Sequence, residues 1–94
     1  MLTYKSSYKW SEGVMLGEVL DFPGTIAYGN SLDEVRNRLA SALRDMAETN
    51  LINGEPLPIP NSVASDEDAD LEEPIYLVLQ TGPQLAMNVG VAVS

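Results

Sequence analysis

The chain has 94 residues, a length that suits one domain with a single modest core. It contains no cysteine and no histidine, which excludes disulfides, thiolate metal sites, cysteine nucleophiles and histidine-based chemistry. Its formal charge is −9. A surface this acidic repels phosphate backbones and anionic lipid, so direct binding to nucleic acid or to a membrane is not expected.

The charge is unevenly distributed along the chain. Residues 1–60 hold all five bases and eight of the 14 acids, whereas residues 61–94 hold the other six acids and no base. This acidity suits a basic protein partner, and solubility alone explains it equally well. The candidate partner-binding residues are the six acids Asp66, Glu67, Asp68, Asp70, Glu72 and Glu73.

The first third of the chain has the alternation of an antiparallel meander. Leu2–Trp10 places its tyrosines and tryptophan on one parity and its lysines on the other, which predicts a strand with one buried aromatic face. Ser11-Glu12-Gly13 predicts a tight hairpin turn. Val14–Asp21 and Thr25–Tyr28 then complete three predicted strands.

The stretch Asp21–Glu34 contains a chain reversal and a helix start. Pro23 fixes its own φ and Gly24 tolerates a positive φ, so the chain can turn there. Ser31 is the expected N-cap, with its hydroxyl accepting from the Glu34 amide and the Glu34 carboxylate accepting from the Ser31 amide. The sequence therefore predicts a capping box.

Apolar residues recur at helical spacing from Ser31 to about Leu51, which predicts one amphipathic helix. Asn53-Gly54 supplies a left-handed stop, and the prolines at alternate positions in Pro56–Pro60 keep the next segment extended. Residues 61–74 are then predicted to form a polar, acid-rich loop.

The C-terminal part contains the strongest strand signal. Ile75–Gln80 is a near-continuous apolar run that suits a central or doubly covered strand. Thr81-Gly82-Pro83 predicts a turn, and Leu85–Val93 alternates like a further strand, which would be an exposed edge strand or a strand that pairs with a partner.

The predicted order is β-β-β-α-β with a possible extra C-terminal strand. One helix on one face of a small sheet makes a two-layer α+β domain. Residues 1–60 supply three strands and the helix, 61–74 the acidic loop, and 75–94 the strand or strands that complete the same domain.

The acids of the loop resemble a fragment of a calcium site. Asp66, Asp68 and Asp70 have the spacing of the first three EF-hand ligands, but Leu71 and Leu77 occupy the positions that need glycine and glutamate. A solvated acidic loop is the better interpretation. Without histidine or a glycine-rich phosphate loop, we expect no enzyme activity, no metal and no cofactor.

Taken together, four motifs over residues 2–60 resemble the HicB-like antitoxin family. They are Asp21-Phe22-Pro23-Gly24, Tyr28–Glu34, Asn53-Gly54-Glu55 and Leu57-Pro58-Ile59-Pro60. Phe22 replaces the usual leucine, Asn30-Ser31 an Asp-Thr pair, and Val35 an alanine. The residues that carry the family motif, and that we expect to be structural, are Asp21, Pro23, Gly24, Gly29, Ser31, Glu34, Gly54, Pro58 and Pro60.

The resemblance implies a partial ribonuclease-H-like fold without the carboxylate cluster of that enzyme, and a homo-oligomer, either a dimer or a tetramer. It also implies a cytoplasmic, non-enzymatic antitoxin that neutralises a small basic HicA-like toxin that cleaves messenger RNA. Many family members add a DNA-binding module, but residues 61–94 are too short and too acidic for a helix-turn-helix. The alternative is an orphan domain that assembles only with itself through residues 85–93.

Overall fold

A computed structural model describes residues 2–79, which form a four-stranded antiparallel sheet with one helix packed on it. The strands lie in the order β3-β2-β1-β4, and the predicted α+β class is confirmed. The elements are β1 Leu2–Ser11, β2 Val14–Val19, β3 Ile26–Gly29, α1 Leu32–Ile52 and β4 Leu71–Leu77. The turn predicted at 81–83, the strand predicted at 85–93 and the end of the predicted strand 75–80 lie outside the described residues.

The β1–β2 hairpin has the predicted turn. Ser11 pairs with Val14, which leaves a two-residue loop in which Glu12 and Gly13 have φ values of 54° and 83°. Two successive positive φ angles define a type I′ turn, whose twist matches that of the flanking strands. The turn therefore fixes the register of β1 against β2.

The Pro-Gly turn after β2 is also present. The Thr25 amide donates to the Phe22 carbonyl at 3.3 Å, and Gly24 has a φ of 89°, as in a type II turn with proline before glycine. The turn directs the Phe22 ring into the core, where it contacts Tyr4 edge-on with ring centroids 5.3 Å apart.

Helix α1 begins with a capping box that differs from the predicted one in a single bond. The Ser31 hydroxyl accepts from the Glu34 amide at 3.2 Å, as predicted. The Glu34 carboxylate accepts from the Asn30 amide at 2.9 Å instead of from the Ser31 amide. The Glu34 side chain thus bonds one residue nearer to β3, which ends at Gly29. The capping box therefore joins the helix to the sheet.

The helix ends at the predicted stop. Gly54 has a φ of 73°, and its amide donates to Leu51 while the Glu55 amide donates to Asn50 at 2.8 Å. This pair of bonds is a Schellman motif, in which glycine takes the left-handed position.

The helix packs very close to β2 and β3. A Cβ atom placed on Gly17 would lie 2.6 Å from Val35 Cγ1, and one on Gly29 would lie 2.9 Å from Val35 Cγ2. Both distances are shorter than any real contact of this kind, so the two glycines create the space that Val35 fills. The buried apolar residues around it are Tyr4, Tyr8, Met15, Val19, Phe22, Ala27, Leu39, Leu43, Ala47, Ile75 and Leu77.

Strand β4 corrects two expectations. It begins at Leu71, so the loop predicted over 61–74 ends four residues early, because the acids at its start are paired with bases from β1 and α1. It also lies at the edge of the described sheet and not at its centre. Ile75 and Leu77 face the core, whereas Tyr76 and Val78 are 57% and 60% exposed, so a continuous apolar run marks an edge strand here.

The aromatic face predicted for β1 is only partly buried. Tyr4 and Tyr8 are in the core, but Trp10 is 48% exposed. Strand β4 begins opposite Tyr8, so Trp10 has a neighbouring strand on one side only. The expectation that Trp10 lies in the core is therefore wrong.

We expect Gly17→Ala to destabilise the protein by about 1–3 kcal/mol, the usual cost of overpacking a core. The added methyl collides with Val35 Cγ1, so Val35→Ala in the same chain should recover part of the loss. Urea unfolding of the two single variants and the double variant measures this coupling. Glu18→Ala, at the exposed neighbouring position, is the control and should not couple to Val35→Ala. If the losses of Gly17→Ala and Val35→Ala simply add in the double variant, the close approach is contradicted.

The stability should fall as the pH rises above the ordinary tyrosine range. Burial raises the pKa of Tyr8 and of Tyr4, with the Asp21 carboxylate adding to the effect at Tyr4. The unfolded tyrosines ionise near about pH 10 while the folded ones stay neutral, so the folded state binds more protons there and stability is lost with rising pH. Urea midpoints from about pH 8 to pH 11 should fall less steeply for Tyr8→Phe. An unchanged slope would contradict the shift, and Tyr76→Phe is the control.

Candidate functional site

The sheet has an inner face, covered by α1, and an outer face that points away from the helix. Two of the predicted partner-binding acids contact lysines of the outer face. Glu72 Oε1 lies 3.1 Å from Lys5 Nζ, and Asp66 Oδ2 lies 3.7 Å from Lys9 Nζ. The Asp66 amide also donates to Glu72 Oε2 at 3.3 Å. These contacts hold the segment 61–70, here called the acidic segment, against the β1 side of the outer face.

The other four acids divide equally between internal contacts and solvent. Glu73 binds the Arg36 guanidinium through both oxygens at 2.7 and 2.9 Å, and these hydrogen bonds raise the pKa of Arg36. Asp70 accepts from the Trp10 amide at 2.8 Å. Glu67 and Asp68 are exposed, and their side chains form no ion pair with residues 2–79.

The six acids are therefore not one open acidic surface. The spacing of Asp66, Asp68 and Asp70 resembled a calcium loop, but Asp66 and Asp70 are directed at β1. Within residues 2–79 no group of three acidic side chains has the geometry to hold a metal ion. Sequence reasoning could not find these pairings, because each one joins segments far apart in the chain.

Asp21 joins three parts of the fold. One carboxylate oxygen accepts from the Lys5 amide at 2.8 Å, and the other accepts from the Asn61 amide at 2.8 Å. Close by, the Tyr4 hydroxyl donates to the Pro58 carbonyl at 2.7 Å. Asp21 and the proline-rich segment thus hold the start of the acidic segment on β1, a role that the local turn pattern did not reveal.

The other motif residues have structural positions. Pro23 and Gly24 make the turn after β2, Gly29 lies beneath the first turn of the helix, and Gly54 ends that helix. Pro60 is partly buried at the start of the acidic segment. Ser31 and Glu34 form the capping box described above.

An open cleft of about 460 Å³ lies beside the Asp21 contacts. Its lining includes Lys5, Asp21, Ser62 and Glu72. The lysine and the glutamate pair with each other, and the aspartate is bound to two amides. The cleft therefore presents no free acid-base pair of the kind that catalysis requires.

The β2 and β3 part of the outer face is apolar and open. Val14, Ile26 and Tyr28 are 41%, 47% and 54% exposed, and Leu16 is partly buried beside them. Glu18 is the one charged residue on this face of the two strands. We call these five residues the β2–β3 patch. Apolar residues at outward-facing strand positions, such as Leu16 and Ile26, were the sequence signal for this patch. Strand positions alone do not show whether the outer face is covered by another segment or open.

Each edge of the described sheet has one position where a further strand would lose a ladder hydrogen bond. At the β3 edge, the Tyr28 carbonyl accepts from Arg38 Nη1 at 2.8 Å. At the β4 edge, Pro74 pairs with Lys5, whose own amide and carbonyl bond on the β2 side to Asp21 and Leu20. Pro74 therefore faces the free edge, and a proline has no N–H to donate there.

The fold matches solved structures of HicB antitoxins. The N-terminal domain of the Burkholderia pseudomallei antitoxin HicB matches with a TM-score of 0.68 and 22% identity, over 83% of this chain and all of that one. The B. pseudomallei antitoxin HicB itself matches with a TM-score of 0.72 and 23% identity, over 86% of this chain and 65% of that one. The present chain thus spans about two-thirds of the latter protein.

A chain of the HicA3 and HicB3 toxin-antitoxin complex also matches, with a TM-score of 0.54 and 22% identity, over 69% of this chain and 72% of that one. No protein-family model matches the chain, and no curated protein matches it in sequence. The described residues have the fold of the HicB antitoxin N-terminal domain. The resemblance noted from the motifs is thereby confirmed at the level of the fold.

Among the described residues, no helix combines the length and the apolar composition that a bilayer crossing requires.

We expect Asp21→Asn to lower the free energy of unfolding by about 1.5–3 kcal/mol, the range for hydrogen bonds to a charged group. An amide side chain has only one acceptor oxygen, so its NH2 group would face the Lys5 or the Asn61 amide. Urea unfolding measures the loss. Asp68→Asn removes the same charge from an exposed position and should leave stability unchanged; equal losses in both variants would contradict the joining role of Asp21.

Proposed function

We propose that this protein is a HicB-like antitoxin that binds a small basic toxin and blocks it sterically. The observation that carries the proposal is the fold, which is that of HicB antitoxin N-terminal domains and of a chain in a toxin-antitoxin complex. The toxin is HicA-like and cleaves messenger RNA, as the motif resemblance implies. The protein acts in the cytoplasm, without enzyme activity of its own.

The distribution of charge supports a basic partner. Four of the five bases are held in ion pairs within the described residues, namely Lys5, Lys9, Arg36 and Arg38. Many acids remain without an ion pair inside residues 2–79, among them Glu18, Glu67 and Asp68. The charge that a partner meets is therefore largely negative, which speeds the encounter with a basic protein and selects against acidic ones.

The mechanism needs no chemistry from this chain. A toxin that must bind RNA presents cationic groups, and an acidic protein seated on them excludes the phosphate backbone by charge and by bulk. Affinity then comes from desolvated apolar contacts, with charge mainly controlling the association rate. Assembly into a dimer or tetramer would increase the apparent affinity by presenting several copies of the binding surface. This oligomeric state stays a prediction.

Co-expression with the product of the adjacent open reading frame tests the proposal. We expect the toxin alone to arrest growth, the pair to grow, and the two proteins to purify together with an affinity that falls as salt rises. Glu67→Gln with Asp68→Asn should slow association without changing stability. If the folded protein neither rescues growth nor binds the toxin at low salt, the proposal fails. A stable homo-oligomer without such a partner would favour the orphan domain.

A further inference from the structure

We propose that the β2–β3 patch is the surface on which this protein binds its basic partner. The inference rests on the proposed antitoxin function and assigns the surface that carries it. The partner would place an apolar segment on Ile26 and Tyr28 and a cationic side chain beside Glu18.

The patch is continuous because its members are cross-strand neighbours. Tyr28 pairs with Leu16, and Ile26 pairs with Glu18. Side chains directly opposite each other in an antiparallel pair lie in contact on the same face. Val14 extends the patch by one position toward the hairpin turn. The other parity of both strands is buried under α1, so these outward side chains are held on a rigid base.

The chain's own acidic segment covers the neighbouring part of the outer face and leaves the patch open. Through the contacts of Asp66 with Lys9 and with Glu72 of β4, it lies over β1, where Ser7 is buried although it points outward. The lysine nearest to the patch, Lys9, pairs with Leu16 across the strands, and its charge is already bound by Asp66. An incoming protein therefore meets apolar side chains and the free charge of Glu18.

This charge favours a basic protein over a second copy of the chain as the occupant. A symmetric contact between two patches brings two Glu18 carboxylates into one apolar interface, which is unfavourable without a cation between them. A second strand pairing along β3 would lose one ladder hydrogen bond, because Arg38 occupies the Tyr28 carbonyl. The patch is thus suited to contact by its face, with a partner that supplies the cation.

The test compares two double variants of the full chain. Ile26→Thr with Tyr28→Thr removes apolar area from the patch, and threonine is β-branched and therefore suits a strand. Tyr76→Thr with Val78→Thr removes a similar area from residues of similar exposure at the other side of the sheet. The probe is the product of the adjacent open reading frame, in a non-toxic form, and circular dichroism establishes that each variant is folded.

We expect the patch variant to bind the probe about tenfold more weakly or worse, and the control variant to bind as the unchanged protein does. Glu18→Lys should abolish binding, whereas Glu18→Gln should slow association and reduce its salt dependence. If the unchanged protein binds the probe and the patch variant binds equally well, the patch is not the site and the proposed function stands. If the unchanged protein does not bind, the proposed function fails. A patch variant that loses only self-association would assign the surface to a second copy and overturn the inference.

Discussion

The close approach of α1 to β2 and β3 is the constraint on which the rest of this structure depends. Val35 is fully buried where Gly17 and Gly29 leave no side chain beneath the helix. At this distance the first turn of the helix reaches the sheet, so the Glu34 carboxylate bonds to the chain just after β3. The same placement brings Arg38 to the Tyr28 carbonyl and Arg36 to Glu73 of β4. One steric fit therefore determines the position of three polar contacts.

Those contacts, together with the ion pairs of the outer face, divide the acids into two groups. One group neutralises bases of the protein, ties the acidic segment and β4 to β1, and ties β4 to α1. The other group stays exposed and gives the molecule its negative electrostatic potential. Because the first group uses nearly all the positive charge, a net charge of −9 acts outward almost without local compensation. The most acidic stretch is consequently also a part of the scaffold.

Much of the fold could be predicted from the sequence because the signals are local. The turns at Glu12-Gly13 and Pro23-Gly24, the cap at Ser31 and the stop at Gly54 each depend on backbone angles and on bonds that span a few residues. Alternation likewise identified β1 to β3 within one or two residues of their ends. The strand after the helix was predicted correctly, but its start and its place in the sheet were not. A hydrophobic run does not reveal how many neighbours a strand has, and Glu72 and Glu73 obscured the start.

The sequence by itself therefore determined the class of the fold, the order of its elements and the excess of acid that favours a basic partner. Only the tertiary structure decided which acids pair with bases of the same chain and which half of the outer face stays open. It also decided that Asp21 joins amides 16 and 40 residues away. These outcomes depend on contacts between segments that are distant in the chain. A residue's type and its near neighbours do not encode such contacts, since they form only when the sheet register and the helix position are both fixed.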